Sequence, residues 1–255
     1  MNNKLRQKYA FAKLLAKEAG TLALNFQAQL QQGKLTVSQK GRQDFVSEAD
    51  KETENFIKNC IATTYPEDGF LGEETGQEEH KKGQGVWVVD PIDGTTNYLR
   101  QHSLWCISIA YMIDDKPIIG VIYDPTHDEL FSALEGSGAW LNEQAMYVNQ
   151  GIQDIVSIVN VGYSAKMPLD AYLQTITRLL DHGIEHRRHG SAALGLAHVA
   201  AGRFDGYRED FLNTWDIMAG VIILQESGAN VDIEQRKNGY AIQASIPAIT
   251  AILKG

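Results

Sequence analysis

Apolar residues at Leu5, Tyr9, Ala12, Ala16, Ala19, Leu22, Phe26 and Leu30 recur at intervals of three and four. This is the spacing of one helix face, and it predicts a long amphipathic helix stopped by Gly33. A second helix is predicted over 47–64, with Phe56, Ile57, Cys60 and Ile61 turned inward. Ser47 can cap it, and Glu48 and Asp50 fall in its first turn, where the helix dipole favours negative charge. Pro66, Asp68 and Gly69 break the pattern. Shorter apolar runs follow. Residues 86–89, 104–113, 118–123 and 130–134 read as strands, with turns at Asp114-Asp115-Lys116-Pro117 and Gly136-Ser137-Gly138. The first half is therefore α+β in style.

The second half alternates. Strands are predicted at 155–161, 185–189, 204–208 and 230–233, and helices at 169–180, 191–201 and 215–226, the last ended by Gly228. Strand–helix alternation implies a more parallel, α/β sheet. The change of style places a boundary near residue 150, between subdomains 1–150 and 151–255. No Pro- or Gly-rich linker marks it, so the two are expected to pack together.

One segment concentrates chemistry. The apolar run 86–89 stops at Asp90, and Pro91, Ile92, Asp93 and the turn Gly94-Thr95-Thr96 follow. Pro91 fixes its own φ and biases Asp90 toward extended backbone, so the strand is expected to end there with both carboxylates free to converge. Carboxylates suit a cation and clustered N–H groups suit an anion; together they suit a metal-bridged phosphate. Either Asp alone reads as a turn-forming side chain. The pair, behind a buried strand, favours metal binding.

Other acids carry plainer alternatives. Glu73 in Gly72-Glu73-Glu74 follows Phe70-Leu71, the end of a short strand, and with Glu78 and Glu79 it reads equally as a solvated loop. Asp216 opens the apolar helix and reads as its N-cap, a role that leaves lone pairs for a metal. Asp44 and Asp50 bracket Phe45-Val46-Ser47, and the helix dipole alone accounts for Asp50. In Gly190-Ser191-Ala192-Ala193, Ser191 reads as an N-cap, and the small residues admit a ligand close to a helix N-terminus.

Composition narrows the classes. The 255 residues are 44% hydrophobic and 22% charged, enough for a sizeable core. A net charge of −9 disfavours nucleic acid and anionic membranes as partners, while a bound metal still permits an anionic substrate. Cys60 and Cys106 have no Cys or His at metal-ligand spacing and read as reduced core thiols. Lys4, Arg6, Lys8, Lys13 and Lys17 interrupt the N-terminal apolar stretches, so no signal peptide is read and a cytoplasmic protein is expected. None of the seven histidines lies in a His-x-x-x-His or Glu-x-x-His pattern, which disfavours zinc. A nucleophile elbow, a Gly-Lys-Ser/Thr phosphate loop and a dinucleotide glycine fingerprint are all missing.

Jointly, these segments resemble the inositol monophosphatase family. Asp90-Pro91-Ile92-Asp93-Gly94-Thr95-Thr96-Asn97 is similar to its first signature, and Trp215-Asp216-Ile217-Met218-Ala219-Gly220 to its second. Gly72-Glu73-Glu74 and Asp44-Phe45-Val46-Ser47-Glu48-Ala49-Asp50 fall in the expected order, with Ser47 where Thr is usual. The segment 187–194, Arg187-Arg188-His189-Gly190-Ser191-Ala192-Ala193-Leu194, is similar to the one beneath the substrate in bacterial members.

The resemblance implies the sugar-phosphatase fold, a layered α/β/α/β/α sandwich. It implies Mg²⁺ as cofactor, one ion held by Glu73, Asp90 and the carbonyl of Ile92, and a second by Asp90, Asp93 and Asp216. Thr95 and Asp50 would place an attacking water near Glu73. Gly94 and Thr95 would donate N–H groups to phosphate, with Asp93, Gly190, Ser191, Ala192 and Glu209 completing the substrate site. Glu209, in Tyr207-Arg208-Glu209, aligns with an acid that grips ring hydroxyls; its plain alternative is a surface charge at a strand end. The expected function is Mg²⁺-dependent, lithium-sensitive hydrolysis of inositol monophosphate by a cytoplasmic homodimer that takes small phosphomonoesters, without membrane or direct nucleic-acid binding. The alternatives are fructose-1,6-bisphosphatase, histidinol-phosphatase or 3′-nucleotide phosphatase activity, or a regulatory protein associated with RNA metabolism.

Overall fold

The apolar periodicities become helices and strands in a computed structural model that describes residues 3–30, 37–41, 44–77, 83–149 and 157–254. The chain runs α1 (Asn3–Leu30), β1 (Val37–Gly41), β2 (Asp44–Ser47), α2 (Glu48–Thr64), β3 (Gly69–Gly72), β4 (Gly76–Gln77), β5 (Gly85–Asp93) and α3 (Thr95–Leu99). A meander follows: β6 (Cys106–Ile113), β7 (Lys116–Asp124), β8 (Glu129–Leu134), β9 (Ala139–Leu141) and β10 (Gln144–Met146). Then come β11 (Ile158–Val161), α4 (Leu169–Asp181), β12 (Glu185–Arg187), α5 (Ala192–Ala200), β13 (Gly206–Leu212) and α6 (Thr214–Ser227). The hairpin β14 (Asn230–Arg236) and β15 (Gly239–Ser245), a 3₁₀ turn at Pro247–Ile249 and α7 (Thr250–Lys254) complete it.

Strands β10-β9-β8-β7-β6-β5-β3-β4 form one sheet and β12-β11-β13-β15-β14 another, while β1 and β2 pair alone. Alternation along β5 decides what each face meets. Val86 and Val88 join the core with α5 and α6, whereas Trp87 and Val89 join the core with α1 and α2. Helices α5 and α6 are apolar on nearly every side, so they are stable only when covered on both faces. They lie between the two sheets, and α4 and α7 cover the far side of the second. This is the expected layered α/β/α/β/α sandwich. A buried ion pair between Lys8 and Asp68 fixes α1 to the turn ahead of β3, and Asp68 also accepts the indole N–H of Trp87 at 2.9 Å.

Several expectations change. Strand β5 does not end at Asp90 but continues through Pro91 to Asp93. Asp90 pairs with Ser108 and Asp93 with Cys106, so three steps on β5 oppose two on β6: a β-bulge. A bulge accommodates a proline that lacks an N–H, and it re-aims the side chains beside it. The second sheet is parallel only across β12-β11-β13 and antiparallel across β13-β15-β14. Strand β15 follows β14 through a tight hairpin, and a connection that short permits only antiparallel pairing. Strand β13 extends past Arg208 to Leu212, and α6 begins at Thr214. Gly33, Glu78, Glu79, the boundary at 150 and the first residues of the strand expected at 155–161 lie outside the described residues. No helix among the described residues is long and apolar enough to cross a membrane.

Candidate metal centre

Strand β5 carries two buried acids, and α6 brings the third. Asp90, Asp93 and Asp216 each present a carboxylate oxygen within 4.8 Å of the others. The bulge lets Asp90 and Asp93 point to one place although an odd step along a regular strand would send them to opposite faces. The Ile92 N–H donates to Asp90 Oδ1 at 3.0 Å and holds the turn. Asp93 Oδ2 accepts the Ser191 hydroxyl at 2.5 Å and the Ala193 N–H at 2.7 Å. Asp93 therefore sits on the N-terminus of α5, where the helix dipole favours its charge. Ser191 is the N-cap expected of it, its Oγ accepting from the Leu194 N–H at 3.3 Å.

Asp216 is not the N-cap of α6. Asn213 takes that place, and Asp216, three residues on, accepts the Asn213 backbone N–H at 2.6 Å and its side-chain amide at 3.1 Å, both on Oδ2. This reciprocal cap fixes the carboxylate's direction.

Burial is the largest influence on these acids. It raises Asp90 well above the ordinary carboxylate range, and Glu73, Asp93, Asp216 and Asp50 push it the same way. Asp216 is raised to about 7 by burial and by Asp93. Asp93 is raised by burial, against the opposing pull of Ser191 and the α5 N–H groups. Desolvated, mutually repelling carboxylates would be stabilised by a positive charge between them. An all-oxygen, all-carboxylate donor set fits a hard divalent cation and not a thiophilic one.

The remaining expected residues surround this cluster. Glu73 follows β3, and its N–H donates to the Val89 carbonyl of β5 at 3.2 Å. The Thr95 hydroxyl lies 3.2 Å from both Asp50 Oδ1 and the Ile92 carbonyl. Gly94 opens α3 with φ 98°, a left-handed conformation that glycine adopts without strain. A Cβ on Gly94 would lie 3.2 Å from that of Ser191, so Gly94, Thr95, Gly190, Ser191 and Ala192 share one neighbourhood. Asp44 and Ser47 lie on β2.

Glu209 lies inside β13, which runs on past it to Leu212. It accepts the Tyr207 hydroxyl at 2.6 Å. It is half-buried, and desolvation raises it to about 8; Tyr207 opposes this, and Asp216 and Asp93 add to it, which puts it within electrostatic reach of the acid cluster. Three contributors, among them Asn97 of the first signature, carry contacts that the sequence reading did not assign. Asn97 ties α3 to the segment before α5, its amide donating to the Leu104 and His189 carbonyls at 2.6 and 2.7 Å. Asn213 holds Asp216. Glu54, wholly buried on α2, accepts the N–H groups of Glu74 and Thr75, each at 2.8 Å. Its signal was available, since Glu54 stands four residues after Asp50, on the same helix face.

The profile of the Inositol monophosphatase family matches residues 4–248. A protein named Nus factor SuhB from Xylella fastidiosa is 39% identical over 85% of this chain and 78% of its own. An Inositol-1-monophosphatase from Mesorhizobium japonicum is 39% identical over 77% of this chain and 75% of its own. The crystal structure of the extragenic suppressor protein suhB from Bartonella henselae superposes with a TM-score of 0.86 at 33% identity, covering 94% of this chain and 95% of that one.

Proposed function

The chain belongs to the inositol monophosphatase family, and from that membership we propose that it is a Mg²⁺-dependent phosphomonoesterase acting on a polyol phosphate, inositol monophosphate first among them. The observation that carries the reading is the convergence of Asp90, Asp93 and Asp216 on one point. Glu73, Asp90 and the Ile92 carbonyl would hold one ion, and Asp90, Asp93 and Asp216 a second. A bound divalent cation supplies Lewis acidity, polarising a phosphoryl oxygen and making a water acidic enough to attack near neutral pH.

The chain's own groups do the rest. Thr95, joined to Asp50, would orient the water, and Glu73 would accept its proton. N–H groups at Gly94 and Thr95 would receive phosphate oxygens. Gly190, Ser191 and Ala192 would form the floor, with Ser191 and Ala193 holding Asp93 in place. Glu209 would accept hydrogen bonds from hydroxyls of the leaving group. A homodimer belongs to the same reading, and light scattering on the purified chain checks it.

Phosphate release tests the substrate. With Mg²⁺ present, inositol monophosphate is expected to give the highest kcat/KM in a panel with fructose 1,6-bisphosphate, histidinol phosphate and a 3′-nucleotide. A clear preference for one of those three would displace inositol from the reading. A second reading, a Nus-factor role, is favoured by the names of several relatives. It is compatible with the first, because the acid set is complete.

A further inference from the structure

We propose that Glu54 is a positioning residue that sets the cation affinity of the Glu73 side of the site, through the backbone of the loop that carries Glu73. The inference rests on the reading that the acid cluster binds a divalent cation.

Glu73 is the one expected ligand that stands on a turn; Asp90 and Asp93 lie on β5 and Asp216 on α6. A ligand on a turn is only as well placed as the turn itself. On one side the turn is held by the sheet, because the Glu73 N–H donates to Val89 of β5. On the other side it is held by Glu54. Oε2 accepts the Glu74 N–H and Oε1 accepts the Thr75 N–H, both at 2.8 Å. Two successive backbone donors thus grip the two oxygens of one carboxylate, a geometry that fixes position and orientation together. Glu54 is fully buried. The fit is tight: a Cβ on Gly72 would lie 2.5 Å from the Glu54 carboxyl carbon.

The helix links the two halves of the centre. Asp50 and Glu54 stand one turn apart on α2, both without exposed surface. Asp50 holds the Thr95 hydroxyl, and Glu54 holds the Glu73 turn. Groups that orient a metal ligand from behind typically affect affinity about 10- to 100-fold.

The variant Glu54→Gln keeps the size but sets a side-chain N–H₂ against one backbone N–H. The direct readout is Mg²⁺ and Mn²⁺ titration by calorimetry, without substrate, alongside amide exchange of the Glu74 and Thr75 N–H groups. The expected result is faster exchange at those two amides and cation binding weakened by about 10- to 100-fold. KM for the phosphomonoester should hold, and kcat should recover at high Mg²⁺, which a general loss of structure would not allow. Faster exchange with unchanged cation affinity would overturn the proposal while leaving the cation site intact. A wild-type chain that binds neither cation would overturn the site itself, and the proposal with it. Should Glu54→Gln lose native circular dichroism, Gly72→Ala carries the same test by pushing the carboxylate off the turn. Unchanged affinity in a folded Gly72→Ala protein would also contradict the role.

Discussion

Glu209 is the residue at which substrate choice is most open to test. It lies on β13 beside Tyr207, is raised to about 8 chiefly by burial, and senses Asp216 and Asp93. With cations bound at the neighbouring acid cluster Glu209 would be ionised, and a carboxylate so placed would accept hydroxyl hydrogens from a leaving group. Losing a hydrogen bond to a charged acceptor costs about 1.5–3 kcal/mol, or roughly 10- to 150-fold. Glu209→Gln should therefore lower kcat/KM for inositol monophosphate by that factor and spare p-nitrophenyl phosphate, which offers no ring hydroxyls; parallel kinetics on the two substrates checks it. Equal losses on both would assign Glu209 to the acid cluster or the fold. At this scale the acids were legible because Asp90, Asp93 and Asp216 stand beside apolar runs that had to be buried. What each carboxylate bonds to was not legible. Ser191 and Ala193 reach Asp93 across about a hundred residues of sequence, and no local pattern announces that contact.

Two elements shape the centre, the bulged end of β5 and the N-terminus of α5. Ser191 joins them, capping α5 and donating to Asp93. Ser191→Ala should cost about 0.5–2 kcal/mol of stability, the usual effect of removing an N-cap, measured by urea unfolding. A change within error would show that Asp93 alone satisfies the helix end. Element types followed from the sequence where one face is apolar, as in α1, α2 and α4. The α5 segment reads correctly as a helix of small residues, and the α6 segment as an apolar helix ended by Gly228. The bulge was missed because Pro91 looks like a strand terminator, and its tolerance depends on the partner strand β6. Strand β15 lies outside the predicted elements although Tyr240, Ile242 and Ala244 alternate after Asn238-Gly239, a hairpin signal. Strands β9 and β10, at three residues each, are too short for any period to show.

In the whole molecule, burying so many acids at one point couples cation binding to pH. Asp216 is raised to about 7 in the fold, against about 3.9 in an unfolded chain. Its contribution to stability is complete below that lower value and is lost as pH rises through about 7, because the buried group must then ionise. A cation reverses the loss by favouring the ionised form. From about pH 6 to pH 8.5, loss of protons from Asp216 and from Glu209, raised to about 8 beside the same cluster, should tighten apparent Mg²⁺ binding. The Mg²⁺-induced rise in Tm should accordingly be larger at the higher pH. Remote groups such as His198, held at about 3 chiefly by burial, cancel in that difference. An increment independent of pH would mean that the ion does not bind at Asp216. The central claim is that Asp90, Asp93 and Asp216 form a working metal centre, and steady-state phosphate release by Asp93→Asn tests it most directly. That variant keeps the shape and removes one charge, and kcat/KM is expected to fall at least roughly 100-fold, with wild-type activity abolished by excess chelator. Near wild-type turnover in Asp93→Asn, or full activity in chelator, would contradict it.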